Sequence, residues 1–188
     1  MAKSERVDLI TVLKGIPDPR RQAGCRHELW TCLLLVIMTL MTGEYGFRPT
    51  GSFIRLHRED LLRYLPLRKP RLPSFDTIRR CLQVVDYELL SAAFSSWARQ
   101  YIDLPKGSWI AGDGKALKGT VRDCFDAEQR FVNLVSFFTQ QGGQVVDDQA
   151  FNNKDSSELH VVEQLIDRLD LRECIFTLDA LHCKKNTR

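Results

Sequence analysis

The chain has 188 residues, of which 44% are hydrophobic and 27% charged, and it is poor in glycine and proline. This composition excludes a disordered tail and a fibrous protein, and the length allows one domain or two small ones with room for a buried core. The six cysteines are scattered and include no Cys-x-x-Cys pair, which argues against a zinc finger and a disulfide framework.

The charge is divided unevenly along the chain, although the net charge is only +3. Residues 1–105 carry 16 basic and 11 acidic side chains, whereas residues 106–188 carry 11 basic and 13 acidic ones. The sequence therefore predicts two units of different character, a basic one followed by an acidic one.

The sequence predicts neither a secretion signal nor a membrane span. The N-terminus lacks an apolar stretch behind a basic start, so no signal peptide is expected. The apolar segment 29–41 is shorter than the roughly 20 residues that cross a bilayer. A buried helix is expected there, and the chain is expected to be cytoplasmic without membrane contact.

Residues 1–105 have the patterns of a helical domain. A first helix is expected over residues 4–14, where Gly15 ends it, and a buried helix over about residues 28–42. Pro17 and Pro19 exclude a regular helix between the two.

The next predicted elements are one or two short amphipathic helices in residues 53–65 and a helix that begins at Ser74. Ser74 is a favourable N-cap, and Ile78 lies on a different face of this helix from Arg79 and Arg80. Two interpretations stay open: a recognition helix that reads DNA, or a surface helix that carries an arginine pair.

The segment 55–80 holds eight basic and three acidic side chains, a surplus that suits binding to a phosphate backbone. The alternative is an ordinary solvated helical face. The candidate nucleic-acid-binding residues in this segment are Arg68, Lys69, Arg71, Arg79 and Arg80.

From Trp109 onward the pattern changes to that of strands. A short strand is expected over residues 109–112, followed by a turn. The β-rich run 131–140 and the run 144–151 are expected to form a hairpin around Gly142 and Gly143.

A helix and a final strand are expected to complete this part. Asp155 and Glu158 resemble a capping box in front of an apolar helical stripe, and Glu158 is interpreted as a helix cap. Residues 174–178 are expected to form a short buried strand that delivers Asp179.

Asp113 and Asp179 are the candidate catalytic and metal-binding residues. A carboxylate at the exit of an apolar strand is held on rigid backbone, as a ligand of a hard metal ion should be. The glycines beside Asp113 could let a phosphate backbone approach, and Lys115 and Lys118 add positive charge nearby. The alternative is that each aspartate is only a turn or cap residue.

Several short motifs resemble those of the H-repeat-associated insertion-sequence transposases, in the same order. They are IPDPRR, LPSFDTIRRCL, GDGKALKG, NNKDSSEL and TLDALHCKK. The likeness covers nearly the whole chain, and it is specific because the motifs agree together, where any one alone would be weak.

The resemblance implies an α+β protein with a helical transposase-associated domain in residues 1–105. Residues 106–188 would then be an incomplete ribonuclease H-like DDE core. It also implies that Asp113 is the first and Asp179 the second of three catalytic acids that hold Mg²⁺ or Mn²⁺. The expected partner is DNA at transposon ends, with a homo-oligomer left open.

The sequence departs from the family at two points. Gly112 stands where the family usually has a hydrophobic residue, and the family's core normally continues well beyond the second acid. The leading hypothesis is therefore a truncated transposase that is inactive alone. The alternatives are a DNA-binding or regulatory module retained from a transposase, and an unrelated ribonuclease H-like nuclease.

Overall fold

The computed structural model describes residues 6–23, 25–122, 130–169, 171 and 173–179. These residues form a mixed α/β protein with seven helices and one four-stranded mixed sheet. The chain divides into two compact units, residues 1–97 and 98–188, so the division lies a few residues before the boundary expected from the charge distribution.

The first unit is helical, as the sequence predicts. Its helices are α1 (Leu9–Lys14), α2 (Leu29–Met41), α3 (Phe47–Leu56), α4 (Arg58–Tyr64), α5 (Phe75–Val84) and most of α6 (Tyr87–Arg99). The apolar helix α2 is central, because α1, α3 and α5 all pack against it. Among the described helices, none combines the length and apolar character needed to cross a bilayer.

Side-chain caps fix where two of these helices begin. The Asp8 carboxylate accepts a hydrogen bond of 3.0 Å from the Thr11 N–H, so α1 begins at Leu9, later than the expected start at residue 4. Ser74 accepts a bond of 3.4 Å from the Thr77 N–H, which confirms the predicted N-cap of α5.

The second unit is built on a sheet with the strand order β3-β2-β1-β4. Its elements are β1 (Trp109–Arg122), β2 (Arg130–Thr139), β3 (Val145–Asn152), α7 (Glu158–Leu169) and β4 (Ile175–Thr177). The β2–β3 pair is antiparallel, which confirms the predicted hairpin, and Gly143 has a φ of 61° in its turn. β1 is antiparallel to β2 and parallel to β4.

Two local predictions in this unit are wrong. β1 does not stop at Gly112, because it stays paired with β2 through Asp113 as far as Leu117 and has a further pair at Arg122. The capping box is also absent: the Oγ of Ser157 accepts a 3.3 Å hydrogen bond from the His160 N–H, and Glu158 is already the first helical residue.

Helix α7 covers one face of the sheet. Its buried Val161, Val162 and Leu165 belong to the same core cluster as Ile110 of β1 and Phe137 of β2. Because side chains alternate between the two faces of a strand, this packing assigns the face of every other position on β1 and β2.

Candidate functional site

Asp113 and Asp179 lie on neighbouring parallel strands, or directly after them. The last β1–β4 pair joins Ala111 to Thr177, and each aspartate is two residues further along its own chain segment. The two strands are therefore adjacent in the sheet, with Asp113 inside β1 and Asp179 two residues beyond β4.

Asp113 is assigned to the face of the sheet that α7 does not cover. A Cβ atom on Gly112 would come within 2.6 Å of Phe137 and 2.7 Å of Leu178, so Gly112 and Leu178 face the core beneath α7. Asp113 is the next residue of β1 and faces the opposite way by strand alternation, whereas Asp179 follows Leu178 two residues beyond the end of β4. Both are exposed to solvent.

The glycines beside Asp113 have a different role from the one expected. The space above Gly112 is filled by Phe137 and Leu178, and the space above Gly114 by the Glu158 carboxylate. Their missing side chains therefore make room for packing on the α7 side. They do not open the Asp113 side to a phosphate backbone.

Glu158 is half-buried and does not join the two aspartates. Its carboxylate lies against Gly114, on the face that α7 covers, whereas Asp113 belongs to the other face. The interpretation of Glu158 as a helix cap is wrong, because Ser157 supplies the capping oxygen.

A third carboxylate on the aspartate face was missed from the sequence. Asp113 pairs with Ser136 of β2, and Ser136 pairs with Asp148 of β3, which puts all three in one row across the sheet. Two strand spacings separate Asp113 from Asp148, about 10 Å. Asp147 and Asp148 are adjacent in the sequence, so only the register of β3 shows which of them lies on this face.

The described residues supply only part of a metal site. They contain no group of three or more His, Cys, Asp or Glu side chains that could hold an ion. Asp113 and Asp179 offer hard oxygen donors, the type that Mg²⁺ and Mn²⁺ prefer. Lys115 is exposed on β1, and the side chain of Lys118 lies outside the described residues.

The face of β3 beneath α7 carries a buried ionic cluster. The Asp147 side chain is 4% exposed, and its Oδ2 accepts bonds from Arg99 Nη2 at 2.6 Å and Arg168 Nε at 2.9 Å. This cluster joins the end of α6 and α7 to β3, which explains why residues 98–105 belong to the second unit.

The basic candidates of the first unit fall into two groups. Arg68, Lys69 and Arg71 line a pocket of about 560 Å³ together with the loop that follows α1. Arg79 and Arg80 are exposed on α5, on the side away from the buried Ile78, as the helical spacing predicts.

The IPDPRR motif is held in place by Arg20. Its guanidinium contacts the Asp18 carboxylate at 2.6 Å, the His27 carbonyl oxygen at 2.9 Å and the Cys81 Sγ at 2.9 Å. A hydrogen bond from the Cys32 thiol, together with the positive charge of Arg20, lowers the pKa of Cys81 to about 7. The hydrogen bond to Cys81, and after it burial, raise the pKa of Cys32.

Comparison with known proteins identifies the first unit and extends the likeness beyond it. The family described as "DDE_Tnp_1-associated" matches residues 10–98. The "Putative transposase YncI" of Escherichia coli O157:H7 is 28% identical over 180 residues, which cover 95% of this chain and 45% of that protein. The "H repeat-associated putative transposase YhhI" of Escherichia coli K12 is 28% identical over 173 residues, covering 91% and 44% respectively.

A shorter YncI protein, from Escherichia coli K12, is 27% identical over 95% of this chain and 70% of its own length. The chain thus spans less than half the length of the YncI of strain O157:H7 and of YhhI. These matches agree with the order of motifs along the sequence, and they support the resemblance of the chain to H repeat-associated transposases.

Proposed function

We propose that this protein acts in the DNA strand cleavage and transfer of an insertion sequence. In this proposal the first unit binds DNA, and the second unit is part of a ribonuclease H-like DDE core. The observation that carries it is the parallel pairing of β1 with β4, which brings Asp113 and Asp179 to corresponding positions two residues beyond the last β1–β4 pair, where both are exposed.

Two aspartates with this arrangement suit the binding of a divalent ion. When bound, Mg²⁺ or Mn²⁺ would activate the attacking oxygen and stabilise the leaving oxygen of the cleaved strand. The rigid backbone of β1 fixes Asp113, and Lys115, two residues further on the same strand, provides positive charge for a phosphate.

We further propose that the chain of 188 residues does not cleave DNA by itself. The resemblance implies three acids, whereas the described residues bring only Asp113 and Asp179 to neighbouring strands of the sheet. A site with two carboxylates holds an ion less firmly than a site with three, and the bound ion supplies charge stabilisation worth several kcal/mol in the transition state.

A second candidate function is a DNA-binding or regulatory module. The observation that favours it is the group of basic side chains around the pocket of the first unit. This function would persist without any catalysis, so binding and cleavage must be measured separately.

The experiment is a nicking assay on supercoiled plasmid and on duplexes copied from the DNA that flanks the gene, with Mg²⁺ or Mn²⁺. We expect DNA binding without nicking. The variants are Asp113→Ala and Asp179→Ala, with Asp103→Ala as an exposed acidic control in the same unit. Metal-dependent nicking by the wild type that is lost in both variants and kept in Asp103→Ala would overturn the proposed inactivity. The same result would support a metal site at Asp113 and Asp179. The absence of DNA binding would contradict the proposed DNA function.

A further inference from the structure

The first unit contains a concave site that brings together two segments distant in sequence. The IPDPRR loop and the start of α2 form one wall, and the loop between α4 and α5 forms the other. We call this site the basic pocket, and its main residues are Lys14, Arg26, Trp30, Arg68, Lys69 and Arg71.

Positive charge in the basic pocket exceeds negative charge. The acidic residues that line it are Asp18 and Glu28, and Asp18 already binds Arg20 at 2.6 Å. Across the described part of the chain, Arg26, Arg68 and Arg71 have no acidic group within ion-pair distance, nor has Lys69. All four of these side chains are exposed.

His27 gives separate support for a positive potential in the basic pocket. Its pKa is lowered first by burial and then by the charges of Arg71, Arg20 and Arg26, which disfavour a further positive charge. A hydrogen bond to the backbone of Arg71 acts in the opposite direction but does not reverse the shift. The same potential would attract an anion.

Trp30 is one of the residues that line the basic pocket. The residue is 3% exposed, and its indole Nε1 is buried with no acceptor among the residues that the structure describes. Buried donors without a partner are rare in folded proteins unless a ligand or water satisfies them. The Lys14 ammonium lies 5.0 Å from the centre of the Trp30 ring.

We propose that the basic pocket binds a phosphate group of DNA. Arg26, Arg68, Lys69 and Arg71 supply the charge that attracts it. Arginine suits this ligand because its planar guanidinium can donate two parallel hydrogen bonds to phosphate oxygens. The inference deepens the proposed DNA function, on which it rests, by naming where the first unit holds the backbone.

The first test follows the indole N–H signals of the full-length chain by NMR while inorganic phosphate is added at constant ionic strength. We expect saturable movement of the Trp30 signal, which Trp30→Phe identifies, while those of Trp97 and Trp109 stay in place. The double variant Arg26→Gln, Arg71→Gln should bind phosphate at least about tenfold more weakly, the loss expected for two charge-assisted bonds. Arg79→Gln, Arg80→Gln removes the same charge outside the basic pocket and should bind it as the wild type does.

The second test measures affinity for a short duplex by fluorescence anisotropy at several salt concentrations. Duplexes with and without 5′-phosphates separate a terminal phosphate from an internal one as the bound group. We expect the Arg26, Arg71 variant to bind DNA more weakly than the Arg79, Arg80 variant and with a shallower salt dependence.

The outcomes separate this inference from the proposed function. Two results would overturn phosphate binding by the basic pocket and leave the proposed DNA function standing. In one, both double variants bind DNA equally well. In the other, only the Arg79, Arg80 variant loses DNA binding. A Trp30 signal that ignores phosphate would also overturn phosphate binding by the basic pocket. The wild type could also bind inorganic phosphate at Trp30 and yet bind no DNA. That result would contradict both a DNA phosphate as the ligand and the proposed DNA function.

Discussion

Ala111 of β1 pairs with Thr177 of β4 in parallel register, and this pair fixes the relative level of the two strands that carry Asp113 and Asp179. The aspartates follow at equal intervals, so they share a face if the extended backbone of β4 continues as far as Asp179. A shift of one residue in this register would send one carboxylate into the core beneath α7.

Replacing Gly112 tests the packing that accompanies this register. Gly112→Val should lower the free energy of unfolding by about 1–3 kcal/mol through overpacking, because a Cβ there would meet Phe137 at 2.6 Å and Leu178 at 2.7 Å. Gly119→Ala on the same strand is the control, since a Cβ there meets nothing within 4 Å. Denaturant unfolding measures both, and equal stability of the two variants would show that the assignment of faces is wrong.

The ionic cluster of the second unit gives a prediction on stability. Arg168→Ala leaves the buried Asp147 with Arg99 alone and should cost about 1–3 kcal/mol, less than for a fully buried pair because solvent screens both guanidinium groups. The control is Arg130→Ala, an exposed change of the same charge on β2. Urea unfolding that does not distinguish the two variants would contradict a stabilising role for the cluster.

The pKa of Cys81, lowered to about 7 from an ordinary value of 9.0, predicts a pH-dependent stability. Between these values the folded chain has lost a proton that the unfolded chain still holds, so stability rises with pH. The contribution is present above about pH 9 and is lost as the pH falls through about 7. Denaturation midpoints from pH 6 to 9 measure it. Cys81→Ala should flatten the rise, and an unchanged slope would exclude Cys81 as its source.

His27 reports the potential of the basic pocket. Its lowered pKa should move back toward the ordinary value of 6.5 in the Arg26→Gln, Arg71→Gln variant, because two of the charges that disfavour its protonation are gone. Arg79→Gln, Arg80→Gln should change it less. An NMR titration of the imidazole signal gives both values, and identical shifts in the two variants would mean that the pocket arginines do not set the potential at His27.

Local patterns in the sequence were sufficient for several elements. The Ser74 cap, the apolar helix α2 and the β2–β3 hairpin depend on neighbouring residues, and all three were predicted. The length of β1 was not, because its glycines and lysines suggest a turn, and only pairing with the distant β2 keeps it extended. A local pattern also misled at Glu158, which matched a capping box although the cap is Ser157.

The candidate sites show the same difference between local and long-range information. The two aspartates could be selected from their short motifs, but their common face depends on the β1–β4 register. The basic pocket could not be predicted, because Trp30 and Arg71 line one pocket only after the first unit has folded. The position of Asp148 opposite Ser136 required the register of β2 and β3.

The most direct test of the account is whether Asp113 and Asp179 share one divalent ion. Substoichiometric Mn²⁺ is added to the isotope-labelled chain, and paramagnetic broadening of the backbone amide signals of both residues is compared with that at Asp103. A shared ion should broaden the signals of Asp113 and Asp179 strongly. Asp113→Asn should then reduce the broadening at Asp179, and Asp179→Asn should reduce it at Asp113. Broadening at one aspartate that persists unchanged when the other is replaced would contradict a shared site.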